Sequence, residues 1–153
     1  MALSQTEVRD FLRKYVGAYE GGDLSFFDLF AQDATIFTVS VPTRIDGVEE
    51  FRRGFEPQFA GVRRRSQILS PEVRIDGDTA VVSFHNRIAV GSQTTNLRAT
   101  AVLGKQKGEL KILHLHNSPL TSLGLTSGAR RPEDVTLLEE RVATAAAAVG
   151  TPK

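Results

Sequence analysis

The stretch LKILHLHNSPL sets His114 and His116 two residues apart in a run that reads as a β-strand. Side chains at that spacing share one face of a sheet, so the pair suits a metal, acid–base work or hydrogen bonding at a contact. The third histidine, His85, lies in TAVVSFHNRIAV, where Ser83, His85 and Arg87 fall in one phase of the alternation. An imidazole can serve as a base near neutral pH, and a guanidinium taken out of water needs an anion or several acceptors. Zinc ordinarily takes at least three protein ligands; the chain has no cysteine, and its three histidines are expected to split between two sheet faces, His85 opposite His114 and His116. No metal and no other cofactor is expected.

The elements that would position these groups are legible in order. Ser4 and Glu7 form a capping box, and Val8, Phe11, Leu12, Tyr15, Val16 and Tyr19 follow the spacing of one helical face. Gly21-Gly22 ends that helix, and Asp23 caps a short second one carrying Phe26, Phe27 and Phe30. ATIFTVSV reads as a strand. Asp46 with Glu49 caps a further helix through Val48, Phe51 and Phe55, which Pro57 should disturb.

From Ser66 the period changes to two. SQILSPEVRI, TAVVSFHNRIAV, TNLRATAVL and ELKILHLHNS are four successive strands joined by turn-rich connectors, which predicts an antiparallel meander. Helices first and strands afterwards indicate an α+β fold. Residues 1–120 are expected to form the domain and 121–153 a connector and helical extension. Pro132, Glu133 and Asp134 open its helix, with Val135, Leu138, Val142, Ala145 and Val149 as the apolar stripe.

The totals narrow the function. A chain of 153 residues suits one domain with a real core. A net charge of +1 gives no reason to expect nucleic acid or an anionic membrane as partner. The arginines of FRRGFEPQFAGVRRRS (Arg52, Arg53, Arg63, Arg64 and Arg65) read as a solvated helix end and loop. No apolar run approaches the roughly 20 residues of a membrane span. MALSQTEVRD has neither the basic nor the apolar part of a secretion signal, so a cytoplasmic protein is expected.

The order helix, helix, strand, helix and four-strand meander resembles the nuclear transport factor 2-like superfamily, over roughly residues 5 to 120. KYVGAYEGGDLSFFDLFAQDAT is similar to the opening of ketosteroid isomerases. ILSPEVRIDGDTAVVSFHNRI and ILHLHNS are similar to the association domain of calcium/calmodulin-dependent protein kinase II. The resemblance implies a strongly bent antiparallel sheet wrapped around the helices, with a pocket inside the cone. It places pocket arginines of the association domain on Arg87, Ala101 and Asn117, of which only Arg87 is retained. Tyr15 matches the isomerase tyrosine that stabilises the oxyanion, whereas Thr38 stands where the base aspartate belongs.

These readings predict a small-molecule-binding member of the superfamily that forms homodimers. The pocket set is Tyr15, Tyr19, Phe37, Phe51, Phe55, His85, Arg87 and Asn117, suited to a small apolar or anionic molecule, with Asp33 a possible internal partner for Arg87. Leu113, Leu115 and Asn117 share a face, as do Leu97, Ala99 and Ala101, which leaves Arg98, Thr100, His114 and His116 on the outer face as the expected interface. The alternatives are an isomerase or cyclase using His85 with Tyr15, or a pure oligomerisation module.

Overall fold

The computed structural model describes residues 2–120. The connector and C-terminal helix expected beyond them lie outside the described residues. Up to Pro119 the chain forms one compact unit.

Helix α1 spans Gln5–Gly21, and its start is held by the capping box. The Glu7 amide donates to Ser4 Oγ at 3.1 Å and the Ser4 amide donates to Glu7 Oε1 at 3.2 Å. The helix ends at Gly22 with φ of 61°. A Cβ there would lie 2.7 Å from both the Phe59 carbonyl oxygen and the Val62 amide nitrogen, so space and dihedral both demand glycine. Asp23 then caps a 3₁₀ turn over Leu24–Leu29, its carboxylate accepting from the Ser25 amide, and this turn buries Phe26 and Phe27.

Strand β1 is Phe30–Phe37, four residues earlier than the β-branched run alone suggests. The earlier start follows from its parallel pairing with the last strand, which begins at Phe30 opposite Ile112. The short strand β2, Ile45–Asp46, takes up Asp46, and Gly47 becomes the N-cap of helix α2, Val48–Phe59. Glu50, one position later than expected, accepts from the Asp46 amide. Pro57 does not end α2; the helix continues to Phe59, whose side chain is fully buried and anchors the last turn.

Strands β3 (Arg65–Asp76), β4 (Thr79–Val90), β5 (Gln93–Gln106) and β6 (Glu109–Pro119) are the predicted meander. Their hairpins close through two residues each, so much of the expected connector sequence is strand. At the last turn Lys107 and Gly108 both have positive φ, the geometry that matches the twist of the flanking strands. The sheet is curved and unclosed, in the order β2-β1-β6-β5-β4-β3. The helices cover its inner face, where Val82, Phe84, Leu97, Ala99, Ala101, Leu103, Ile112 and Leu115 are buried.

Candidate functional site

The inner face meets a cluster of aromatic rings. Phe26 is at its centre, with ring centroids 5.3 Å from Tyr15 and Phe30, 5.5 Å from Tyr19 and 5.0 Å from Phe59. Phe51 and Phe55 stack at 5.3 Å and join the same cluster. Four members of the expected pocket set, Tyr15, Tyr19, Phe51 and Phe55, are thus brought together, as packed core.

Burial pushes both tyrosine phenols above their ordinary range, most strongly Tyr15, with each phenol's neighbours secondary. The folded state therefore holds these protons more tightly than the unfolded chain does. The stability they contribute is fully present below the ordinary phenol value of about 10 and is lost as pH rises through the raised folded values. Absorbance titration should show phenolate appearing together with loss of the far-ultraviolet dichroism, and not before it.

Arg64 corrects the expectation that its arginine run is solvated throughout. It is 9% exposed. Its guanidinium lies 4.6 Å from the Phe59 ring centroid and 4.9 Å from that of Tyr19, and Nη1 donates to the Tyr19 carbonyl at 3.3 Å. Period-two alternation puts residue 64 inside with Ser66, between exposed Arg63 and Arg65. Arg64→Ala should destabilise the domain by about 1–2 kcal/mol through lost packing and cation–π contact, read as a lower urea midpoint; Arg63→Ala should change it little.

Polar groups on the inner face are few. Ser66 Oγ donates to Asn86 Oδ1 at 2.8 Å, and Asn117 Oδ1 is buried with no hydrogen-bond partner. Asn117 pairs across to Ala99, so a small side chain lies beside it. Among the described residues the buried polar or charged side chains are Arg64, Ser66 and Asn86, none a carboxylate. Thr38, at the position the isomerase resemblance gives to the base, lies 3.4 Å from Ser40 between hydroxyl oxygens.

Three expected pocket residues lie elsewhere. In β4 the inward phase is Ala80, Val82, Phe84 and Asn86, so His85 and Arg87 are on the outer face, with Ser83. Burying Phe84 and Val82 outweighs burying an imidazole and a guanidinium. His85 and Tyr15 consequently do not share a site. Asp33 is on β1, separated from β4 by β6 and β5. Phe37 also faces outward, its ring centroid 5.0 Å from His116 and 5.8 Å from His114.

All three histidines are therefore on one face, correcting the division expected from sequence. Register arranges that face in rows: Thr35, His114, Val102, Val81; then Phe37, His116, Thr100, Ser83; then Ser118, Arg98, His85. His114 Nδ1 is hydrogen-bonded to Thr35 Oγ1 at 2.7 Å. Among the described residues no group of three histidines, cysteines or carboxylates converges as a metal site. A cleft of about 390 Å³ opens on this face around His85, Arg98 and His116. Another, of about 530 Å³, lies between the end of α1 and Arg63, Arg64 and Arg65. Neither is lined by Tyr15, Phe51 or Phe55.

A curved six-strand sheet closed on one side by N-terminal helices gives the chain the α+β fold of nuclear transport factor 2-like proteins. Residues 8–122 match the model of the SnoaL-like domain, and the chain belongs to that family. It is similar to a nuclear transport factor 2-like protein of unknown function from Pseudomonas putida KT2440, at 20% identity and a TM-score of 0.72 over 84% of this chain and 96% of that one. A nuclear transport factor 2-like superfamily protein from Salmonella enterica serovar Typhimurium shares 18% identity with a TM-score of 0.69, over 81% and 96% of the two chains. The association domain of C. elegans calcium/calmodulin-dependent protein kinase II shares 22% identity with a TM-score of 0.64, over 74% and 94%. At these identities the likeness is one of fold. No curated protein matches the sequence. Among the described residues no helix is long and apolar enough to cross a membrane.

Proposed function

We propose that this SnoaL-like chain pairs with a second copy of itself through the outer face of its sheet. The observation that carries this reading is the chemistry of that face. Its middle rows hold Val81, Val102, Ser83 and Thr100, rimmed by His114, His116 and Arg98, while the helices cover the opposite side. A two-fold contact is the commonest way to cover such a surface. The fold of the C. elegans association domain supports the reading by analogy. A homodimer in light scattering at micromolar concentration is the expected result, and a monomer would overturn it. A chain without cysteine suits the cytoplasm.

A second reading, a small-molecule site inside the cone, is favoured by Asn117. A buried carbonyl oxygen left without a donor costs about 1–3 kcal/mol, and a ligand hydroxyl or amide would recover it. With His85 and Arg87 facing outward, Arg64 is the one buried cation among the described residues, and it is held against Tyr19 and Phe59. The ligand class is then an uncharged apolar molecule bearing one hydrogen-bond donor. Thermal shift with such alcohols should raise the melting temperature of wild type and not of Asn117→Leu. A matching rise with simple carboxylates, or an unchanged response in the variant, would sink this reading.

A further inference from the structure

Among the described residues the outer-face cleft is lined mainly by groups that can donate, and no carboxylate lines it. Arg98, His85 and His116 supply guanidinium and imidazole N–H groups, and Ser70, Ser83 and Thr100 supply hydroxyls. Arg98 Nε donates to Ser118 Oγ at 3.2 Å. That contact orients the guanidinium, leaves its terminal N–H groups open, and leaves the Ser118 hydroxyl proton free to donate. Arg98 forms no ion pair among the described residues, and neither His85 nor His116 makes a side-chain hydrogen bond there. The nearest carboxylate in register, Glu72 opposite Ser83, is outside the cleft lining and is held by Arg74 Nε at 2.9 Å.

Ser70 adds an independent sign. It has φ of 53°, a left-handed conformation that a non-glycine residue rarely adopts, at the bulge between Leu69 and Glu72. Strain of this kind persists where surrounding structure enforces it, and it gathers at ligand sites. Here it sets a hydroxyl at the edge of the cleft. A planar guanidinium flanked by imidazoles and by hydroxyls able to donate, with no carboxylate among the described lining residues, matches an oxyanion.

We infer that the cleft around Arg98, His85 and His116 is a binding site for a small oxyanion, phosphate or carboxylate. Its consequence rests on the assembly reading above: a two-fold contact brings two such clefts towards each other, and a bound anion offsets the like charges.

The test is a titration of the full chain with inorganic phosphate, then with acetate, followed by NMR. Ionic strength is held constant with chloride, and pH is fixed. Saturable shifts at the His85 and His116 rings and at the Ser83, Arg98 and Thr100 amides are expected, and the anion giving the lower Kd identifies the class. The double variant Arg98→Gln, His116→Gln should weaken binding at least about tenfold, as loss of charge-assisted hydrogen bonds does. Arg65→Gln, in the other cleft, should leave it unchanged. Linear, unsaturable shifts, or equal weakening by Arg65→Gln, would overturn the inference. Light scattering on the same samples separates the two ideas. Saturable binding by a protein that stays monomeric in phosphate would discard the assembly reading and leave the oxyanion site standing.

Discussion

Phe26→Ala should lower the stability of the domain by about 3–5 kcal/mol, the range for an aromatic removed from a packed core. Phe26 is 1% exposed. Its ring meets those of Tyr15, Tyr19, Phe27, Phe30, Phe51 and Phe59, all with centroids within 6.4 Å. These neighbours come from α1, the 3₁₀ turn, β1 and α2, so one deletion loosens every element that covers the inner face. None of the surrounding rings can swing into the void without abandoning its own contacts, and the cavity should persist. Against a total stability of about 5–15 kcal/mol for an ordinary domain, the loss approaches global unfolding. Urea denaturation should give a much lower midpoint with an unchanged slope. Phe26→Leu should retain most of the stability, and Phe55→Ala, at a half-buried position on the rim, should cost less than Phe26→Ala. A Phe26→Ala protein within about 1 kcal/mol of wild type, outside the usual cost of such a cavity, would show that the interior is an open pocket and not a filled core.

The element order was legible because its signals are local. A capping box, a glycine pair, and a change of period at Ser66 each depend on a few adjacent residues, and each was found in place. What failed was the face of β4. In TAVVSFHNRIAV the adjacent Val81 and Val82 allow either phase by themselves. The apolar series Ala80, Val82, Phe84 gives the inward phase, whereas the resemblance of Arg87 to a pocket arginine of the association domain points to the opposite one. Burial obeyed the hydrocarbon. Arg64 shows the opposite case: a run of three arginines suggests solvent, although the alternation continuing into Ser66 turns the middle one inward. The aromatic character of Phe37 suggests the pocket, but the buried Ile36 beside it takes the inward position. Long-range pairing explains the remaining differences, since the parallel contact of β1 with β6 has no local signature.

With two copies paired through the outer face as proposed, Thr100→Arg should convert the dimer to a monomer without unfolding it. Thr100 is half-buried in the middle row of the outer face, between Ser83 and His116 and two residues along β5 from Arg98. In a two-fold contact the substitution enters twice, so two new cations face a surface that already holds Arg98, His85 and His116 from each copy. Like charges brought together at an interface cost several kcal/mol, and every 1.4 kcal/mol is tenfold in Kd, so a rise of about 100-fold or more is expected. The monomer itself has little reason to change. On the free outer face the new side chain can extend into water, and the aromatic interior lies on the other side of the sheet. Sedimentation or light scattering should therefore report loss of the dimer while the urea midpoint of the monomeric species and the far-ultraviolet dichroism stay as they were. Gln58→Arg, which adds the same charge to the exposed side of α2, controls for net charge and should leave the dimer intact. If both variants stay dimeric, the copies meet through some other surface, and the rows of β4, β5 and β6 are available to the oxyanion alone.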